Sequence, residues 1–301
     1  MATGAHEQPA TMLYTSPWVA LGLWHCPPES PRWHEENTIG DNPVIAIPWT
    51  NVVIDRAASR NALMNPNRTV FYRAGEPYTR RLASDRGDRC AFIIPSAELM
   101  RSVLAEAGLD SSESRFPFAV GPAVSWATGA HHALARALAT NLPVSDLETE
   151  EILTEVVRQT TLAAATNARR TPQAKPVGTA RAHRELAHRA IEIMSESITN
   201  AAHTHRLKIT DIAKRAHASA YHLCRVFKDH TGETLAQHLM RLRLRAAAEM
   251  LVWSDDSITA IAHRLGFANH AHFTTAWKAE FGSPPSAIRS RNQLLLPTRT
   301  N

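Results

Sequence analysis

The chain has 301 residues, enough for two domains, and its 44% hydrophobic and 20% charged content is that of a globular protein rather than a disordered or fibrous one. It has no apolar run of roughly 18 residues, no leader-like basic-then-apolar start over Met1 to Ser16, and only three cysteines (Cys26, Cys90, Cys224), so a cytoplasmic protein without membrane span or disulfide framework is expected. The net charge of +5 is unevenly placed: residues 183–291 carry 15 Lys and Arg against 10 Asp and Glu, and residues 1–182 carry 17 against 18. The basic excess therefore lies toward the C-terminus, where a phosphate backbone could be met.

Residues 1–16 are polar and aperiodic and read as a flexible arm. From Trp18 to about Pro95 the pattern is that of β-strands, within a first domain expected to run from 17 to 125. Short apolar stretches at Trp18–Trp24, Val44–Ile47, Asn51–Ile54, Thr69–Tyr72 and Cys90–Ile94 alternate with turn signals such as Pro27-Pro28, Asn65-Pro-Asn67 and Gly75-Glu-Pro77. Such spacing suggests a small barrel or jelly roll. Trp18, Trp24, Trp33 and Trp49 are candidates for an apolar pocket, with plain core packing as the alternative. Cys26 and Cys90, near Trp24-His-Cys26 and Trp33-His-Glu35, could converge as a thiol pair or metal site; buried cysteines acting as small hydrophobes are the alternative.

Residues 126–168 read as a helical segment. Ser96 is a plausible cap for a helix that Gly108 ends. Further helices are expected over about 129–142 and from Ser145 to about Ala168, with Glu148, Glu150 and Glu151 at the positive end of the helix dipole. Leu147, Ile152, Leu153, Val156 and Val157 could form a dimer seam or an internal core. Residues 169–182, with two prolines and several basic residues, read as a linker. A helix over His183–Thr204 then opens the last domain, 183–291, and 292–301 is a tail.

The most informative stretch is Lys208 to Arg289. Ile209–His217 followed by Ala218–Gly232, and Ser257–Gly266 followed by Phe267–Gly282, each read as a short helix, a tight turn and a second helix. Ser219 and Asn269 stand at the caps, and a long helix over Thr234–Trp253 joins the two units. Ile258, Ile261, Ala262 and Leu265 line one face, and Gly266 supplies a left-handed corner.

These residues resemble the DNA-binding domain of AraC/XylS-type transcription regulators. The likeness runs through Asp211-Ile-Ala213, Leu223-x-Arg225-x-Phe227-Lys228, Gly232, Arg241–Ala247, Leu251, Ile258-x-x-Ile-Ala262, Gly266-Phe267, His272-Phe273, Phe281-Gly282 and Pro284-Pro285. It covers about a third of the chain. The resemblance implies an α+β protein: an N-terminal cupin-like β-barrel with following helices, then an all-α domain of two helix-turn-helix units. It also implies a homodimer that binds promoter DNA, a small-molecule effector in the front domain, contact with RNA polymerase, and no cofactor. The cupin His-x-His metal signature is missing from residues 18–95. A DNA-repair enzyme fused to such a domain would need four front cysteines, and three are spread over the whole chain. The alternatives are a thiol- or metal-responsive regulator using Cys26 and Cys90, and an architectural DNA binder, against which the modest charge and the two distinct recognition helices speak.

Helical spacing puts Leu223, Val226 and Phe227 on the packed face of the first recognition helix, leaving Ser219, Tyr221, Cys224, Arg225 and Lys228 as DNA candidates. Arg225, with its forked donors, is the strongest of them. In the second helix Phe273, Trp277 and Phe281 pack, and Asn269, His270, Ala271, His272 and Thr275 remain. The family usually has an arginine where Thr275 stands, so the second unit is expected to grip less firmly. His270 and His272, two apart, face different ways and make a poor metal pair. Among Arg241, Arg243 and Arg245, some are expected to reach phosphate.

Overall fold

A computed structural model describes residues 10–57, 59–112, 115–170, 177–199 and 207–289. The front half runs β1 (Ala10–Thr15), β2 (Val19–Cys26), a 3₁₀ turn at Pro31–His34, β3 (Asn37–Thr38), β4 (Val44–Pro48), β5 (Val52–Arg56), β6 (Ser59–Met64), β7 (Arg68–Tyr72), β8 (Pro77–Leu82) and β9 (Asp88–Pro95). There follow α1 (Ala97–Glu106), β10 (Val120–Pro122), α2 (Ser125–Ala139) and α3 (Asp146–Arg170). The rest is helical: α4 (Val177–Thr199), α5 (Ile209–Arg215), α6 (Ala220–Thr231), α7 (Leu235–Trp253), α8 (Ile258–Arg264), α9 (His270–Phe281) and α10 (Pro285–Arg289).

The strands form two open antiparallel sheets, ordered β1-β2-β9-β4-β7-β10 and β3-β8-β5-β6, and among the described residues neither closes into a barrel. The class is mixed helix and sheet, as expected. Strand alternation sorts the side chains of the larger sheet into two layers. Leu21, Ile45, Ile47, Phe71, Ala91 and Ile93 face α1, α2 and α3, where Leu99, Leu104, Leu134, Leu153 and Val157 complete one core. The intervening Cys26, Ala46, Val70 and Tyr72 face the smaller sheet and meet Val52, Ile54 and Met64 in a second core.

Several sequence expectations need correction. Residues 10–15, read as arm, form edge strand β1; a register shift between Met12 and Tyr14 hides the alternation. β6 and β8 went unread because their sequences, Ser-Arg-Asn-Ala-Leu-Met and Pro-Tyr-Thr-Arg-Arg-Leu, carry few apolar residues. Ile152, Leu153, Val156 and Val157 are buried in the intramolecular core, which leaves only Leu147 of the proposed seam on the surface, at 69% exposure. The linker is also shorter than read. α3 continues to Arg170 and α4 starts at Val177, so residues 177–182 are helical, with Arg181 paired to Glu185 one turn on. The remainder of the linker, 171–176, and the end of the expected 183–204 helix lie outside the described residues.

In the C-terminal half, Leu235, Leu239 and Leu242 of α7 pack with α4, α5 and α6. Leu244, Ala247, Met250 and Leu251 pack with α8 and α9. The joining helix is therefore a shared wall of both helix-turn-helix units.

Candidate nucleic-acid interface

The geometry of the two recognition helices begins with their caps. The Ser219 hydroxyl accepts from the His222 amide at 3.2 Å, and the Asn269 side-chain oxygen accepts from the His272 amide at 2.8 Å. Gly232 and Gly282, at φ of 80° and 74°, end α6 and α9 in the left-handed conformation. Both helices are thus held to 12 residues. The corner of the second unit is Gly266, at φ 76°; that of the first is His217, at φ 55°, where no glycine marked the turn.

Leu223, Val226 and Phe227 are buried beneath α6, and Phe273, Trp277 and Phe281 beneath α9. On the outer face Tyr221 is 81% exposed, and Arg225 and Lys228 are also exposed. Cys224 departs from expectation. It is half-buried against the core of the first unit, because its position next to Leu223 puts it at the margin of the packed face. Ser219 is exposed, but its hydroxyl is already committed to the cap. On α9 His270, Ala271, His272 and Thr275 are exposed, as is Asn269. The His272 ring stands edge-on to Phe267 at 5.6 Å, which limits its freedom. Lys278, passed over in the sequence, is exposed three residues beyond Thr275; that spacing was the available signal.

The three arginines of α7 expected near phosphate all have partners within the protein. Arg241 pairs with Glu233 at 2.7 Å and lies 3.8 Å from Glu280. Arg243 donates to the Gly266 carbonyl at 3.4 Å. Arg245 is buried and donates to Asn67 at 2.6 Å, to the Ala123 carbonyl at 3.1 Å and to Glu280 at 3.2 Å. Burial lowers its pKa to about 10, against the opposing pull of Glu280. Sequence reasoning missed the reason for Arg245: the front half clasps α7 and takes this side chain inward.

That clasp runs the length of the helix. Asn67, on the turn before β7, donates to the His238 carbonyl at 3.1 Å, and its neighbour Asn65 donates to Ser195 of α4 at 3.1 Å. Arg86 and Arg89 both pair with Glu249, whose side chain is fully buried. Arg136 of α2 donates to the carbonyls of Leu251 and Val252, at 3.3 and 2.6 Å. Ser125 donates to Glu280 of α9 at 2.6 Å. These contacts are polar and directional, so they specify the relative placement of the two halves.

A cavity of about 250 Å³ lies between the two sheets. Val52, Ile54, Met64, Val70, Tyr72 and Phe92 give it apolar walls. Its polar spot is Asp88, 3.3 Å from Arg80, whose guanidinium lies 4.2 Å from the Trp24 ring centroid. Burial raises the Asp88 pKa, with Arg80 pulling the other way. Of the four tryptophans considered for a pocket, only Trp24 lines this one. Trp18 and Trp49 pack on the helix side, and Trp33 is buried with its indole N–H donated to the Pro27 carbonyl at 2.9 Å.

Cys26 and Cys90 share a face but sit diagonally, Cys26 opposite Asp88 and Cys90 opposite Trp24. Burial, and then Asp88, pushes the Cys90 thiol well above its ordinary range, away from the reactive thiolate. Among the described residues no group of three or more His, Cys, Asp or Glu is placed to hold a metal, and no helix is long and apolar enough to cross a membrane.

Comparison with known proteins bears on the same region. A family model described as a helix-turn-helix domain matches residues 212–291. The transcriptional activator RhaS of Escherichia fergusonii is 47% identical over 78 residues, 26% of this chain and 28% of that relative. The probable transcription factor PqrA of Proteus vulgaris is 38% identical over 88 residues, 29% of this chain and 72% of the relative. The chain belongs to the AraC/XylS-type transcription regulators. A solved AraC-type DNA-binding protein from Chromobacterium violaceum aligns at 27% identity and a TM-score of 0.32, over 36% of this chain and 93% of that one. The match to RhaS spans little more than a quarter of that relative's length, and within this AraC-type chain it leaves the front half unmatched.

Proposed function

We propose that the protein binds promoter DNA sequence-specifically, with α6 and α9 in successive major-groove segments on one side of the duplex. The carrying observation is α7: its 19 residues hold a capped recognition helix at either end. At about 1.5 Å per residue it spans roughly 28 Å, comparable with the roughly 34 Å between equivalent groove positions. Tyr221, Arg225 and Lys228 read the first segment, Arg225 as the principal base or phosphate contact. His270, Ala271, His272 and Thr275 meet the second, with Lys278 in support. Ser219 and Asn269 act through their caps, and Cys224 lies at the edge of the contact.

The front half, in this reading, is a cupin-like receptor opened into two facing sheets. Its effector is small and largely apolar, matched to the walls around Asp88 and Arg80. The expectations of RNA polymerase contact and of a homodimer rest on the family resemblance. A dimer seam must be sought away from the buried face of α3. Selection of bound fragments from genomic DNA by the full-length protein tests the proposal. One enriched motif of two short half-elements about one helical turn apart supports it. Fragments retained without any shared motif would overturn it, and doubled motifs would establish the dimer.

A further inference from the structure

The two faces of β9 look toward different halves of the protein. Asp88, Cys90, Phe92 and Ile94 line the cavity, whereas Ala91 and Ile93 belong to the helix-side core. Arg89, between Asp88 and Cys90, continues that second face outward to Glu249 of α7. Arg86, on the turn before β9, reaches the same carboxylate.

The turn carrying both arginines is tightly specified. Gly87 holds φ 73°, and a Cβ there would lie 2.2 Å from the Cys26 carbonyl oxygen. Thr50 donates to the Gly87 carbonyl at 2.7 Å and accepts from the Arg89 amide at 2.9 Å. The Arg89 carbonyl in turn accepts from the Trp49 amide at 2.8 Å. Trp49 itself stacks on Trp253, at the end of α7. Cavity floor, turn and last turns of α7 thus form one hydrogen-bonded unit with little slack. Withdrawing a guanidinium from a fully buried carboxylate is costly, so Glu249 is expected to follow its partners.

We propose that β9 couples the cavity to the second helix-turn-helix unit, with the Arg86/Arg89–Glu249 clamp setting the angle at which the end of α7 presents α8 and α9. The proposal rests on the reading of the cavity as the effector site. An occupant that displaces Asp88 or Cys90 moves Arg89 by the strand's own alternation, and Glu249 follows. Met250 and Leu251, its neighbours on α7, pack directly with α8 and α9, so the shift passes to the second recognition helix. The first unit, packed on the opposite end of α7, is left in place. A separate direct contact, Ser125 to Glu280, bypasses β9 and provides a control.

The test uses the full chain and a permanent occupant. Ala46→Leu adds three carbons inside the cavity from β4, away from α7. Its DNA affinity is compared with that of the unaltered protein on the selected two-element DNA and on DNA with only the first element intact. It is then repeated in Glu249→Gln and Ser125→Ala backgrounds, with Cys90→Val as a second filling variant and circular dichroism to confirm folding. Coupling predicts a change of about fivefold or more on the two-element DNA, none on the single element, and loss of the change with Glu249→Gln but not with Ser125→Ala. An unchanged affinity, or equal effects with and without Glu249, would overturn the coupling. Indole, an uncharged aromatic probe, separates the two readings. If indole slows hydrogen exchange in β4 and β9 while the variants act independently, the cavity reading stands and the coupling fails. If the variants couple but indole leaves the strands unprotected, the coupling stands and the cavity is not a receptor for this class of molecule.

Discussion

Trp49 of the front half stacks on Trp253, the last residue of α7, with ring centroids 5.7 Å apart and planes inclined by 28°. His132 also lies against Trp49, at 4.8 Å, and His131 lies 4.3 Å from His132. Two indoles and two imidazoles thus seal the joint between the front and helix-turn-helix halves.

Trp253→Ala should lower stability by about 2–3 kcal/mol, toward the low end for a tryptophan because the side chain is only partly buried. The loss should be uneven. Denaturant unfolding followed by far-ultraviolet circular dichroism is expected to broaden or split, as the joint yields before either core. A single transition of unchanged midpoint would show that the stack contributes nothing to the joint.

The buried histidines give stability a defined pH dependence. Burial lowers the His131 pKa to about 4, with its bond to the Ala127 carbonyl opposing, and His132 is held well below its ordinary value by burial, His131 and Arg89. The folded pKa is depressed, so the unfolded chain takes up the proton first as pH falls. The contribution is complete above about 6.5 and declines toward about 4; for His131 it amounts to about 3 kcal/mol. Asp88, whose pKa is raised, works in the opposite sense at acid pH. Comparing unfolding curves of the unaltered protein and His131→Gln between pH 7 and 4.5 isolates the effect. The slope should flatten in the variant, since glutamine can still accept from Trp49 and donate to Ala127.

On the DNA face, Arg225→Ala should reduce affinity by about 1–3 kcal/mol, concentrated at one base position if the guanidinium reads a guanine. A uniform loss across sequences would assign it to phosphate instead. Thr275→Arg is the complementary change. It should tighten binding and steepen the dependence of log affinity on log salt by about one. Fluorescence anisotropy over a salt series reads both.

Removing the second cap, Asn269→Ala, should cost about 1 kcal/mol of stability. Weakened DNA binding beyond that expected from global unfolding would show that the entry of α9 into the groove depends on its first turn being ordered. Asn269→Gly should be much milder for the fold. An equal loss of binding in the glycine variant would point to a direct Asn269 contact.

The C-terminal region was legible because its constraints are local. Caps at Ser219 and Asn269, the Gly266 corner and the spacing of Leu223, Val226 and Phe227 are settled by a few neighbours in sequence. The front half was legible only where strands are apolar, so β2, β4 and β9 were read and β6 and β8 were not. The fate of Arg245 was illegible in principle. Its partners Asn67 and Ala123 lie 178 and 122 residues away, and no periodicity in α7 announces them. Cys224 was only half legible: it sits at the boundary between the packed and open faces of α6, partly buried against the first unit's core.

The clasp on α7 also bears on how such a protein can be altered by recombination. Its helix-turn-helix region is not an interchangeable cassette. Joined to a foreign receptor, it would carry Arg245 and Glu249 with no Asn67, Arg86 or Arg89 to meet them, and an indole at Trp253 with no stacking partner. Any successful swap would have to bring the turn at Asn65–Arg68 and the β8–β9 turn carrying Arg86 and Arg89 along with it. The border that can be exchanged without loss therefore passes through the interior of the front half rather than along the segment joining the two.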